Sequence, residues 1–101
     1  GNSKPLFAER DLKIKSAFII GKNSSGIRFR MENRYKKEMD AIYFGDVEKF
    51  FNYIADEYGQ DEADKIRMGR GSDISLTITY YPKINEYKGY KNIQLMIENY
   101  R

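Results

Sequence analysis

The sequence predicts a mostly β domain in which five antiparallel strands are interrupted by one helix between the third and fourth strands. Three observations predict this fold class. Short runs alternate between apolar and polar residues, clusters of Gly, Asn and Ser separate these runs, and one central stretch repeats its apolar residues at helical spacing. The chain has 101 residues, which is long enough for one domain with a single modest hydrophobic core.

The first half of the chain predicts three consecutive strands. In the first of them, the alternation places Leu12, Ile14 and Phe18 on the core face. The second strand alternates without interruption, and the turn cluster at residues 23–26 separates the two. Residues 1–11 are expected to form a tail or linker. The three strands are predicted at residues 12–20, 27–32 and 39–45.

A helix follows these strands, and a long hairpin comes last. Asp46 is suited to cap the helix N-terminus, and Gly59 is suited to end the helix. The apolar residues between them fall on one helical stripe, which we interpret as core. The polar segment after Gly59 allows a short second helical turn at residues 63–68. The hairpin strands are predicted at residues 74–81 and 91–98, around a turn that contains Asn85, Lys88 and Gly89.

The element order β-β-β-α-β-β is that of the OB-fold, a five-stranded Greek-key barrel with one helix between strands three and four. In this interpretation residues 12–101 form the OB-fold domain, and the helix closes one end of the barrel. A different small α+β sheet has the same order of elements, because the order of strands in space cannot be read from one sequence.

The absence of histidine and cysteine excludes several kinds of site. Without them the chain has no Ser-His or Cys-His nucleophile pair, no disulfide and no zinc site of the usual type. We therefore predict no catalytic residue, no metal site and no cofactor within this chain, with a carboxylate-only metal site as the open alternative. No apolar run approaches the roughly 18 residues that span a bilayer, so we expect a cytoplasmic protein without membrane contact.

The net charge of +3 conceals three charge blocks. Residues 4–37 contain ten Lys and Arg against three Asp and Glu, whereas residues 38–66 contain two against nine. Residues 67–101 are basic again, with six against three. Charge blocks are often solvated faces. Segregation of this degree nevertheless favours basic strands that contact an anionic ligand and an acidic helix that faces away from it.

Basic and aromatic residues fall where OB-folds bind oligonucleotides, which is on strands two and three and on the loops joining strands one to two and four to five. A single strand needs cations for its phosphates and ring faces for its bases. Strand two contributes Arg28 and Arg30, and the turn after it contributes Lys36 and Lys37. The two loops contribute Lys22, Tyr87, Lys88 and Tyr90.

Three stretches carry a family resemblance: Met39-Asp-Ala-Ile-Tyr-Phe-Gly45, Tyr80-Tyr-Pro-Lys-Ile-Asn-Glu-Tyr-Lys-Gly89 and Ile93-Gln-Leu-Met-Ile97. They resemble the C-terminal end of the bacterial RecJ family of single-strand-specific DNA exonucleases. The resemblance extends over residues 12–101. It implies an OB-fold module that holds single-stranded DNA near the catalytic core of a 5′–3′ exonuclease active in recombination and repair.

Catalysis in that family rests on Asp and His motifs of a DHH core, with manganese or magnesium as the metal. This sequence has none of these motifs, so the resemblance implies a non-catalytic fragment whose partners are single-stranded DNA and the catalytic domains of its parent. It also implies phosphate contacts by Arg28, Arg30, Lys36, Lys37 and Lys88, with Tyr43, Tyr87 or Tyr90 stacking on bases. The full set of predicted nucleic-acid-binding residues is Lys13, Lys15, Lys22, Arg28, Arg30, Lys36, Lys37, Tyr43, Tyr87, Lys88, Tyr90 and Lys91.

The alternative function belongs to a different class, an OB-like scaffold domain that docks its basic strands on an acidic surface of a partner or of its parent. The two hypotheses differ in the effect they assign to Tyr87→Ala. Docking tolerates the loss of this ring if the charges remain. Strand binding does not, because a base stacks on the ring.

Overall fold

The computed structural model describes residues 5–101, except for the side chain of Tyr87. Five strands and two α-helices form most of this part of the chain. The strands are β1 (Phe7–Ile20), β2 (Gly26–Glu32), β3 (Glu38–Phe44), β4 (Ser75–Tyr87) and β5 (Tyr90–Tyr100), and the helices are α1 (Val47–Tyr58) and α2 (Gln60–Arg67). A short 3-10 turn at Lys22–Ser24 joins β1 to β2.

The five strands close on themselves in the order β1-β2-β3-β5-β4, and β4 pairs back onto β1. All neighbouring strands are antiparallel except β3 and β5, which run parallel. Closure leaves the sheet without a continuous open edge. The prediction of a mostly β, five-stranded domain is therefore confirmed, and this strand order is consistent with an OB domain.

Two helices lie between β3 and β4, where the sequence predicts one. Asp46 caps α1 as predicted, because its carboxylate accepts a hydrogen bond of 3.0 Å from the backbone N–H of Lys49. Gly59 ends α1 at a φ of 102°, which residues with a side chain rarely adopt, and the chain is helical again from Gln60. The prediction of a single helix is wrong because Gly59 separates two helices, and the short second helical turn that the sequence allows at residues 63–68 is a full helix from Gln60 to Arg67.

β1 is longer than predicted. It begins at Phe7, so residues 7–11, which are expected to belong to a tail, are part of the strand, and residues 7–9 pair with β4. The pairing is irregular, with a register shift between Glu9 and Leu12, and this irregularity removes the alternation by which the sequence would reveal the strand. The first part of the predicted tail, residues 1–4, lies outside the described residues.

A β-bulge in β1 reverses the side chains that follow it. Ile14 pairs with Met31 of β2, and Ser16 pairs with Arg30, so Lys15 is one extra residue on the β1 side. Because side chains alternate along a strand, one extra residue moves every later side chain to the opposite face.

The bulge determines the position of Phe18. Ala17 lies in the core and is 2% exposed, whereas Phe18 is 60% exposed. The prediction that Phe18 shares the core face with Leu12 and Ile14 is therefore wrong. The alternation that begins at Leu12 does not continue through the bulge.

The interior of the closed sheet is filled from the strands and from one side of α1. The ring of Phe50 lies 5.4 Å from that of Phe29 on β2 and 5.0 Å from that of Tyr100 on β5. Burial among these rings, more than any nearby charge, raises the pKa of Tyr100 to about 12.

α2 packs on α1 through Arg67, whose guanidinium lies 4.1 Å from the ring centre of Phe51. The predicted stripe of α1 is confirmed as core at Val47, Phe50, Phe51 and Ile54, whereas Tyr58 at its C-terminal end is exposed.

We expect Phe50→Ala to lower the free energy of unfolding by about 3–5 kcal/mol, because it removes a buried aromatic ring and leaves a cavity. Phe18→Ala is the matched control and should change it by only about 0.5 kcal/mol. Urea denaturation followed by circular dichroism measures both variants. Losses of similar size in the two would contradict the exposed position of Phe18.

Candidate nucleic-acid interface

The outer surface of β1, β2 and β3 is defined by strand alternation. On β2, Ile27, Phe29 and Met31 are buried in the core, so Arg28 and Arg30 between them point outward. Backbone register places the outward residues of the three strands side by side. Phe18 pairs with Arg28, and Arg28 with Ile42. The outward residues that form this surface, named here the β1–β2–β3 face, are Ser16, Phe18, Arg28, Arg30, Asp40, Ile42 and Phe44.

Two phenylalanine rings are exposed on this face. Phe18 is 60% exposed and Phe44 is 58% exposed. The ring of Phe44 lies over Gly26 on the neighbouring strand, where a Cβ atom would come within 2.9 Å of a ring carbon. Glycine at this position therefore allows the Phe44 ring to lie over β2. Large exposed apolar rings among polar neighbours are typical of a binding surface.

The two arginines of the face have different surroundings. Arg28 is exposed, and its side chain has no hydrogen bond or ion pair among the described residues. Arg30 donates from Nε to Glu38 at 3.0 Å and from Nη1 to Asp40 at 2.8 Å. Asp40 first, and then Glu38, raise the pKa of Arg30 above its ordinary value. Arg28 is thus available to an anionic ligand, whereas Arg30 is already paired with two carboxylates.

The turn between β1 and β2 lies at the Phe44 end of the face, because Gly26 pairs with Phe44. The turn needs left-handed backbone at Asn23 (φ 61°) and Ser24 (φ 54°), which Asn tolerates better than most residues. Lys22 in this turn is exposed, with no side-chain partner among the described residues. The structure therefore places the predicted Lys22 next to the aromatic part of the face.

Three predicted lysines lie around Glu32 and Asp73, away from the two exposed rings. Lys13 is 3.2 Å from Asp73, and Lys15 and Lys36 are 3.8 and 3.9 Å from Glu32. The pair of Lys13 with Asp73 is exposed and contributes about 0–1 kcal/mol, whereas the Glu32 side chain beside Lys15 and Lys36 is only 13% exposed. A phosphate would therefore compete at little cost for Lys13, and no aromatic residue of the β1–β2–β3 face lies beside the three lysines.

Two further predicted residues, Lys37 and Tyr43, lie just before β3 and within it. Lys37 is exposed in the turn before the strand, where its backbone N–H donates to the side chain of Asn33 at 3.0 Å. Tyr43 lies on the inner side of β3, with its ring 6.4 Å from that of Phe50 and 5.3 Å from that of Tyr100. The structure thus does not bring Tyr43 onto the β1–β2–β3 face.

The hairpin of β4 and β5 extends beyond the closed sheet. β5 pairs with β3 only from Gln94 onward, so residues 81–93 form an arm held mainly by their own pairing. At its tip, Lys88 and Gly89 adopt positive φ values of 50° and 82°. The arm lies toward the start of β3, opposite the β1–β2 turn, because Asp40 pairs with Gln94.

The arm carries the remaining predicted residues. Tyr90 is 75% exposed and Lys91 is exposed opposite Glu86. The side chain of Tyr87 lies outside the described part of the chain. Asn85 donates to Gln94 across the hairpin at 2.7 Å, which supports a structural role for both amides.

The sequence interpretation missed Phe18 and Phe44. For Phe44 a signal was present, because alternation along β3 puts Phe44 and Tyr43 on opposite faces. For Phe18 the sequence contains no such signal, since the alternation indicates the core and only the bulge moves the ring outward. Within residues 5–101, no group of acidic side chains has the arrangement of a metal site, and no helix is long and apolar enough to cross a membrane.

Comparison with known proteins gives one family. The sequence matches the family described as the RecJ OB domain over residues 1–99. No curated protein matches the chain. The family match covers nearly the whole chain and agrees with the closed five-stranded sheet, so the chain belongs to the RecJ OB-domain family.

Proposed function

We propose that this domain binds single-stranded DNA on its β1–β2–β3 face. The observation that carries the proposal is an unpaired Arg28 with two exposed phenylalanine rings close by. Phe18 pairs with Arg28, and Phe44 lies one outward position further along β3, opposite Gly26. Stacking rings and an unpaired cation are the two elements that a single strand requires from its protein.

The chemistry of the face favours unpaired bases over a duplex. A phenyl ring can stack on the flat surface of a base only if that surface is accessible, and in a duplex the neighbouring base pairs cover it. Arg28 and Lys22 supply positive charge for the phosphates. Because a ring face and a cation accept any base and any phosphate, binding should tolerate changes of sequence.

We also propose that the domain serves as the accessory domain of a RecJ-like 5′–3′ exonuclease that acts in cytoplasmic DNA recombination and repair. The family match supports the link to RecJ-like proteins. The absence of histidine supports a non-catalytic role, since a DHH motif requires it. Catalysis, together with manganese or magnesium, then belongs to a core outside this chain, which is the second partner of the domain.

One observation favours docking as a second candidate function. Ile84 and Ile93 lie directly opposite each other on the arm, and they are 66% and 63% exposed. An exposed isoleucine pair is a suitable contact for another protein surface. This candidate uses the arm, whereas strand binding uses the β1–β2–β3 face, so variants of the two surfaces distinguish them.

We expect Phe44→Ala to weaken binding of a dT oligonucleotide of about 15 nucleotides by about 1–3 kcal/mol, because one stacked base loses its ring. Fluorescence anisotropy of the labelled oligonucleotide measures the dissociation constant. Phe7→Ala is the control, since Phe7 is also a half-exposed phenylalanine but lies on the part of β1 that pairs with β4, outside the face. Equal losses in the two variants would contradict stacking on the face.

Arg28→Gln should flatten the dependence of the logarithm of the binding constant on the logarithm of salt concentration by about 0.7, because one phosphate contact is lost. The same anisotropy titration at several salt concentrations measures this slope. Arg101→Gln is the charge-matched control, because Arg101 is exposed after β5, where its backbone pairs with Thr77 of β4, outside the face. An unchanged slope for Arg28→Gln would show that Arg28 does not contact a phosphate.

A further inference from the structure

We propose that Glu38 and Asp40 restrict a bound single strand to one half of the β1–β2–β3 face, by holding Arg30 and by repelling phosphates. The inference rests on the proposed function. It adds that these two carboxylates limit how many nucleotides of the strand contact the face. It assigns Arg30 to a role that differs from that of Arg28, although the two residues occupy equivalent outward positions on β2.

The first observation behind this inference is that two carboxylates hold Arg30. Its Nε and Nη1 groups donate to two different carboxylates, at 3.0 Å to Glu38 and 2.8 Å to Asp40. Asp40 is the direct neighbour of Arg30 across the β2–β3 ladder. One guanidinium between two carboxylates leaves this group with a net charge of −1, and a phosphate that approaches Arg30 meets both carboxylates.

The second observation is that the two ends of the β2–β3 ladder differ in charge. Glu32 pairs with Glu38 at the start of β3, but Lys15 and Lys36 lie 3.8 and 3.9 Å from Glu32, so the excess negative charge beside Arg30 comes from Glu38 and Asp40. At the other end, Arg28 pairs with Ile42 and Gly26 pairs with Phe44, and these positions contain no carboxylate. At the Arg30 end of the face the carboxylates of Glu38 and Asp40 outnumber the one cation between them, whereas the Arg28 end is cationic and aromatic.

The consequence concerns the length of strand that the face accepts. The cationic half contains two exposed rings, Phe18 and Phe44, which accommodate two bases. A longer contact would have to pass over Asp40 and Glu38, where the local charge repels phosphate. Neutral residues at these two positions should release Arg30 and extend the contact along β2.

The test compares Glu38→Gln/Asp40→Asn with the wild-type domain in anisotropy titrations of labelled dT oligonucleotides over a range of salt concentrations. We expect the double variant to bind at least about fivefold more tightly at low salt. Its salt dependence should steepen by about 0.7, because Arg30 gains a phosphate. Adding Arg30→Gln to the double variant should remove the steepening.

Asp56→Asn/Glu57→Gln is the charge-matched control, because both residues are exposed on α1 and have no ion-pair partner among the described residues. An equal gain in this control would show a general charge effect and overturn the inference. Unchanged or weaker binding by Glu38→Gln/Asp40→Asn would also overturn it, because the carboxylates would then position Arg30 for binding.

The outcomes separate the inference from the proposed function. Absence of wild-type binding at low salt would overturn the proposed function, and the inference with it. Wild-type binding without a gain in the double variant would overturn the inference alone. If the double variant does not fold, Asp40→Asn by itself should give the same effects at about half their size.

Discussion

The β-bulge at Lys15 is the constraint on which the candidate interface depends. One extra residue in β1 leaves Leu12 and Ile14 in the core before it and turns Phe18 outward after it. Without the bulge Ala17 would be outward, and the face would lose one of its two rings. The proposed single-strand site therefore depends on strand register as much as on residue composition.

The closed sheet then fixes the other members of the face. Packing of Phe29 against Phe50 holds β2 against α1, and the outward position of Arg28 follows from the inward position of its neighbours. Side chains on paired strands are held more precisely than side chains on loops. The arm at residues 81–93 lacks this support, because β5 joins β3 only from Gln94.

Much of the fold could be predicted from the sequence, because it depends on alternation and caps. The five strands and the α1 stripe follow from periodicity, and Asp46 is recognisable as a cap. The bulge and the extension of β1 to Phe7 depend on pairing and backbone geometry, which local patterns do not show, and the segment after Gly59 indicates only part of α2. Within the site, Arg28 and Lys22 are predictable, but the acidic block is not simply a helix that faces away. Glu38 and Asp40 belong to β3 and lie beside Arg30.

Mapping of amide chemical shifts by NMR during titration with unlabelled dT oligonucleotide of about 15 nucleotides tests the central claim most directly. The β1–β2–β3 face predicts that the largest changes fall on Phe18, Arg28, Ile42 and Phe44, with smaller changes at Lys22 in the neighbouring turn. Changes confined to the arm at residues 81–93, or none at saturating oligonucleotide, would contradict binding on this face.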